Sequence, residues 1–272
     1  MPKTLREEFP SVLDVAYNDF KNNTHVVDIM SQKVMMIGAE RFIIDAARLM
    51  GKYHVGSLVV EGEDRPKGII TERDLLTRVI AADKDPKKIR VSTIMSPRLI
   101  TIRPLATLRE AARTMIKEKG RLVVMEGRTL VGIVTSSDLI KAIPMGLEPF
   151  GTVNRYMTKQ VAISSPFERV IDVAKRMGKE RIGSVIVKKN GKPWGIFTER
   201  DLLTKVIYDK GNLEGDVEAY SSSPLITIKI GYSVDKAAKV MVDKHVRRLP
   251  VFDGERLAGI ITARDLVEAY AL

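Results

Sequence analysis

One short phrase occurs four times in this chain, and its spacing constrains the fold more than any other feature. The copies are Gly68-Ile69-Ile70-Thr71-Glu72-Arg73-Asp74-Leu75, Gly132-Ile133-Val134-Thr135-Ser136-Ser137-Asp138-Leu139, Gly195-Ile196-Phe197-Thr198-Glu199-Arg200-Asp201-Leu202 and Gly259-Ile260-Ile261-Thr262-Ala263-Arg264-Asp265-Leu266. Each reads glycine, two apolar residues, Thr-x-x-Asp and leucine. The aspartates lie 64, 63 and 64 residues apart (74 to 138, 138 to 201, 201 to 265). Self-similarity at a fixed period marks a repeat architecture, and everything else is best read against it.

Around each phrase the hydrophobic pattern predicts strand, helix, strand, strand, helix. In the first unit Val34–Ile37 is an apolar run too short for a helix, and Ile43, Ile44, Ala46, Ala47 and Met50 have helical spacing. Ser57–Val60 and Gly68–Thr71 read as strands, and Glu72–Ala82 as a second helix. The other units open with Leu99–Ile102, Gln160–Ile163 and Leu225–Ile228, and all four first helices share Ala-x-x-Met. The hairpins turn at Glu126-Gly127, Asn190-Gly191 and Asp253-Gly254, the last two being favoured tight-turn pairs. Trp194, after Pro193 at one hairpin, reads as packing.

Odd and even units differ. The first and third share Thr-Glu-Arg-Asp-Leu-Leu-Thr and lead into the second strand with Gly56-Ser57 and Gly183-Ser184; the second and fourth have Arg121-Leu122 and Arg248-Leu249 there. A unit doubled once, and the pair doubled again, accounts for this alternation. One βαββα unit leaves a sheet face uncovered, and pairing two units buries it. The expected organisation is an extension at 1–24, a first pair at 25–145 (repeats about 25–85 and 90–145), a linker at 146–151 and a second pair at 152–272 (repeats about 152–212 and 216–272). Ser11 followed by Asp14 suits a short capped helix within the extension.

Composition narrows the function. There is no cysteine, which excludes disulfides and thiolate metal sites and fits a cytoplasmic setting. No apolar run reaches the roughly 18 residues of a membrane helix, so no membrane partner is expected. The three histidines, His25, His54 and His245, are not spaced as metal ligands, and His245 reads as a helix-end residue. Neither a Gly-x-Ser-x-Gly nor a Walker-type loop occurs, so the chain is not expected to be an enzyme. The net charge of +11 admits a polyanionic partner. Its basic groups, densest at Lys84–Arg90, Lys188–Lys192 and Lys244–Arg248, are not interleaved with aromatics as in single-strand binders. A nucleic-acid-associated regulator with the repeats as scaffold stays as the alternative function.

The arrangement resembles the cystathionine-β-synthase (CBS) domain, a small regulatory module that works in pairs. The resemblance rests on the four-fold phrase, on the openings Ile29-Met30-Ser31, Ile94-Met95-Ser96-Pro97 and Tyr156-Met157-Thr158, and on Arg247-Arg248-Leu249-Pro250-Val251. It implies an α/β (α+β) fold of four βαββα repeats in two pseudo-symmetric pairs, assembled as a flat disc that one chain closes as a monomer or two share as a homodimer. It further implies a non-catalytic sensor that binds AMP, ADP or ATP between paired repeats and signals to an unidentified protein partner.

Thr-x-x-Asp at a helix start has a plain structural reading: threonine caps the helix and the acid suits its positive end. The functional reading uses the two carboxylate oxygens for the two ribose hydroxyls, and the hydroxyl and amides of the helix start for a phosphate. By resemblance the ribose ligands are Asp74, Asp138, Asp201 and Asp265, and the phosphate ligands are Thr71, Thr135, Thr198, Thr262, Arg121, Arg247, Arg248 and Arg264. Arg73 and Arg200 occupy the position of Arg264 in the odd units, and Ser137 replaces it in the second. The sites are therefore unequal, with occupancy expected where Arg121 and Arg247/Arg248 feed them.

Overall fold

The computed structural model describes residues 23–142 and 150–271; the helix expected around Ser11–Phe20 and most of the expected linker lie outside them. Four sheets follow the four repeats: β1 (Met36–Ile37), β2 (Ser57–Val60) and β3 (Gly68–Thr71); β4 (Thr101–Ile102), β5 (Leu122–Glu126) and β6 (Thr129–Val134); β7 (Ile163–Ser164), β8 (Ser184–Lys189) and β9 (Lys192–Thr198); β10 (Ile228–Lys229), β11 (Arg248–Asp253) and β12 (Arg256–Thr262). In each, the first strand runs parallel to the second and the third returns antiparallel. The parallel step needs a crossover, supplied by the helices Ile43–Tyr53, Leu108–Glu118, Val170–Glu180 and Val234–Asp243. Their shared Ala-x-x-Met faces inward, with Met50, Met115, Met177 and Met241 all buried. The first strands are only two residues long, because each pairs on one side and leaves the ladder at once.

The segment that opens each repeat does not lie on its own sheet. Ser31 bridges Ile133 of the second repeat, Ser96 bridges Ile69 of the first, Thr158 bridges Ile260 of the fourth, and Ser222 bridges Ile196 of the third. Consecutive repeats thus exchange their openings. This exchange explains the glycine of the phrase. A Cβ at Gly68 would sit 2.6 Å from the Ser96 carbonyl oxygen, and one at Gly259 would sit 2.8 Å from that of Thr158.

Contacts gather the chain into two compact units. One draws its described residues from 1–33, 100–159 and 227–272, and the other from 34–99 and 160–226. The first therefore holds the sheets of the even repeats and the second those of the odd ones. In the even unit the helix Ala263–Ala271 packs on Leu108–Glu118 and on Ser136–Ala142. Tyr270 there is buried, its ring edge-on to Phe150 at 5.8 Å.

In the odd unit the two repeats lend each other their second helices. Leu203 of the third repeat enters the core built on Ile43, Leu58 and Ile70, while Leu76 and Ile80 of the first enter the core of Val170, Val185 and Phe197. Trp194 packs at the border of that second core, in keeping with its reading from sequence. The expected helix Glu72–Ala82 differs from a plain α-helix. Glu72–Leu75 is α, but Leu76–Ile80 is π, and the third repeat likewise turns π over Leu202–Tyr208. In both, a threonine hydroxyl takes an acceptor four residues back: Thr77 Oγ1 donates to the Arg73 carbonyl at 2.7 Å and Thr204 Oγ1 to that of Arg200 at 2.8 Å. The matching residues of the even repeats, Lys141 and Glu268, have no hydroxyl, and their helices remain α.

Candidate functional site

The four phrases place the same atoms in the same way. Thr71, Thr198 and Thr262 end the third strand and Thr135 follows it directly, each immediately before the helix. Its N–H donates to the aspartate Oδ2 at 2.9, 2.8, 2.9 and 2.7 Å in repeats one to four. Its hydroxyl donates to the same oxygen at 2.6, 2.7, 2.6 and 2.8 Å. The threonine hydroxyl oxygen in turn accepts the aspartate N–H in the first, third and fourth repeats, at 3.3, 3.2 and 3.4 Å, whereas the Asp138 N–H donates to the Thr135 carbonyl at 3.1 Å. The cap is thus complete in three copies, and in all four the hydroxyl proton expected at a phosphate is spent inside the motif. Amides of the helix start are spent too: those of Glu72, Glu199 and Ala263 donate to the carbonyls of Gly56, Gly183 and Arg247 at 3.2, 3.1 and 2.9 Å. The carboxylate oxygen left out of these bonds is Oδ1, and what stands beside it differs between repeats.

The residue at the start of the second strand is fixed opposite the threonine by register. Arg248 pairs with Thr262, whereas Ser57 pairs with Thr71 and Ser184 with Thr198. In the second repeat Leu122 pairs with Val134, which sets Arg121 and Thr135 next in line at the same corner. The structure thus brings Arg121 and Arg248 to the phrase of their own repeat, with the Arg247 carbonyl at the helix start. The arginines inside the phrase are engaged elsewhere. Arg264 donates to the Ile116 carbonyl at 3.2 Å. Arg73 pairs with Glu199 at 2.9 Å and Arg200 with Glu72 at 3.2 Å, a reciprocal pair of bridges in which both glutamates are buried.

Around Oδ1 the repeats divide. Asp201 Oδ1 receives Lys205 Nζ at 2.7 Å and the Ser222 hydroxyl at 3.0 Å. Asp74 Oδ1 faces Arg78 Nε at 3.6 Å. The corresponding residues of the second and fourth repeats, four positions after the aspartate, are Ala142 and Ala269, too short to reach. Among the described residues no hydrogen bond or ion pair ends on Oδ1 of Asp138 or Asp265. Burial pushes the Asp265 carboxyl above the ordinary range, against the downward pull of the Thr262 N–H and hydroxyl; Glu268 adds to the rise and Arg264 opposes it. Reading the sequence missed Arg78 and Lys205, although the spacing of four on a helix was the signal that could have found them.

His54 and His245 both end first helices in the left-handed conformation, at φ 53° and 54°, as expected of helix-end residues. No group of histidine and acid side chains among the described residues could hold a metal ion. No described helix is long and apolar enough to cross a membrane.

The profile of one protein family, the CBS domain, matches four times, over residues 26–81, 91–145, 153–208 and 216–272. The chain belongs to the CBS-domain family. Among CBS-related sequences, an uncharacterised protein of Methanocaldococcus jannaschii, MJ1225, is 27% identical over 251 residues, spanning 81% of this chain and 88% of its own length. Its crystal structure, described as that of a candidate archaeal homologue of γ-AMPK, matches with a TM-score of 0.78 at 24% identity, covering 91% of this chain and all (100%) of that one. An uncharacterised Methanopyrus kandleri protein is 39% identical over 121 residues, 43% of this chain and 61% of that protein. A Pyrococcus horikoshii structure shares the fold with a TM-score of 0.63 at 21% identity, over 90% of this chain and 99% of that one. The four-repeat α/β fold inferred from the phrase is thus established, and with it the CBS assignment.

Proposed function

We propose that this CBS-domain protein is a non-catalytic regulator that binds adenosine nucleotides, AMP, ADP or ATP, with the halves 25–145 and 152–272 as its ligand modules. The observation that carries the reading is the fourth repeat. There Asp265 is held by Thr262 through Oδ2 alone, Oδ1 is uncommitted, and Arg248 starts the strand paired with that threonine. A carboxylate oriented in this way can accept from the two hydroxyls of a ribose, and a guanidinium at the same corner suits phosphate. The second repeat offers Asp138 and Arg121 on the same plan. In this reading the threonines orient the aspartates, while Arg121, Arg247, Arg248 and Arg264 supply positive charge. The similarity of MJ1225 in fold, and its description as a γ-AMPK homologue, support the same direction.

Titration calorimetry of nucleotide-stripped protein with AMP, ADP and ATP, with GTP for comparison, tests the proposal. Saturable binding of an adenosine nucleotide is expected. Asp265→Asn should weaken it about tenfold or more, the worth of one charged hydrogen bond, and Arg248→Ala should cost ATP more than adenosine. Affinities indifferent to both substitutions would remove the site.

A further inference from the structure

We propose that Arg78 and Lys205 are resident occupants of the first and third aspartates, so that these two copies of the phrase take no nucleoside and act as internal fasteners. The inference rests on the nucleotide reading above, but its geometry stands by itself. Lys205 Nζ lies 2.7 Å from Asp201 Oδ1, 2.9 Å from the Tyr220 carbonyl and 3.0 Å from the Ser222 hydroxyl. That hydroxyl in turn donates to Asp201 Oδ1 at 3.0 Å. Tyr220 and Ser222 belong to the exchanged opening of the fourth repeat. One ammonium thus ties the aspartate of its own repeat to the strip lent by the next. Arg78 does the same in the first repeat: its Nε faces Asp74 Oδ1 at 3.6 Å, and its Nη1 donates to the Ile94 carbonyl, on the opening of the second repeat, at 2.6 Å.

Three other features separate the same two repeats from the even ones. Position four after the aspartate is alanine in both even repeats, so no side chain there can close the carboxylate. The residue opposite the threonine is serine in the odd repeats, Ser57 and Ser184, where the even ones bring arginine to that corner. The phrase arginines of the odd repeats, Arg73 and Arg200, are held by buried glutamates, whereas Arg264 of the fourth donates to the Ile116 carbonyl and the second repeat has Ser137 there. A ribose approaching Asp74 or Asp201 would have to displace a cation from a carboxylate that is itself almost wholly buried, and would find no arginine opposite the threonine. An ammonium or guanidinium meets a carboxylate with full charge, whereas a ribose offers only neutral hydroxyls.

Two measurements on the full chain test this. A double-mutant cycle between Asp201→Asn and Lys205→Ala, read by urea unfolding, is expected to depart from additivity by about threefold or more in the unfolding equilibrium constant. Additive effects would overturn the proposal whether or not any nucleotide binds. Equilibrium dialysis with radiolabelled ATP and AMP should count at most two sites per chain, and none in the double variant Asp138→Asn/Asp265→Asn. Sites that survive in that variant with the affinity of the unaltered protein would show the odd aspartates to be open and would also overturn it. If the unaltered protein bound neither nucleotide, the functional reading would fall, and the cycle alone would decide whether Lys205 fastens Asp201.

Discussion

At the scale of single residues, the four aspartates look alike in sequence and differ in what they cost the fold. Asp201 is buried beside a cation and a hydroxyl donor, and its charge is compensated. Asp265 is partly buried without a lysine or arginine four positions on, and burial raises its carboxyl above the ordinary value. The sign of the consequence follows from linkage. A group whose folded value lies above its unfolded one favours the fold below the unfolded value and loses that contribution as pH rises through the folded value. At neutral pH an ionised Asp265 is therefore a burden on stability. Asp265→Asn, whose amide oxygen can still accept from Thr262, is expected to leave the melting temperature at pH 7 unchanged or raised and to remove part of the stability lost between acid and neutral pH. Asp201→Asn is expected to lower stability at pH 7 by about 1–3 kcal/mol, through a lysine left without its partner. Thermal melts of both variants from pH 3 to pH 7 would check the contrast, and equal shifts in both would refute it.

At the scale of elements, close approach explains the helix glycines of the odd repeats, and conformation those of the hairpins. In the odd unit Gly51 and Gly178 lie in the last turn of their helices, against the partner's π segment and its end. A Cβ would lie 2.6 Å from Cβ of Tyr208 in the first case and 2.4 Å from Cβ of Ala81 in the second. The even repeats carry Ile116 and Val242 at these positions, against helices that remain α. Gly51→Ala and Gly178→Ala are each expected to cost about 1–3 kcal/mol by overpacking, measured as a fall in the urea midpoint. Gly127 sits at φ +60° in a hairpin with nothing within 4 Å, so a substitution there strains the backbone without meeting a neighbour. The elements themselves were legible because apolar periodicity sets strand and helix locally. The π turns were not, since the apolar spacing of these segments reads as ordinary α-helix and their packing partner comes from the other odd repeat. The capping role of the threonines could be read from spacing alone. The pairing of Arg78 and Lys205 with their aspartates was legible in the spacing of four, but their second anchorage, on the Ile94 and Tyr220 carbonyls, was not, because that strip comes from a neighbouring repeat.

At the scale of the molecule, each half of the sequence contributes sheets to both compact units, so neither half contains a complete core. In the odd unit Leu203 completes the core of the first repeat and Leu76 that of the third. A fragment of residues 25–145 would expose the helices Ile43–Tyr53 and Leu108–Glu118, which the intact chain covers with elements of the third and fourth repeats. Because the halves are copies of one another, a second fragment can stand in for the missing one. Light scattering of that fragment should report a dimer, and a stable monomer would contradict the account. The exchanged openings also set a timetable for synthesis. The strip at Ser31 finds its seat at Ile133, 102 residues later (133 − 31), and Thr158 waits equally long for Ile260 (260 − 158). Ile69 waits only 27 residues for Ser96 (96 − 69), and Ile196 only 26 for Ser222 (222 − 196). On the ribosome the third strands of the odd sheets therefore meet their bridging strips almost as soon as they emerge, whereas the strips destined for the even sheets leave the tunnel about a hundred residues ahead of their seats. At the roughly 5–20 residues per second of translation, that is an interval of about 5–20 seconds in which a nascent apolar edge stands open to whatever attends the tunnel exit.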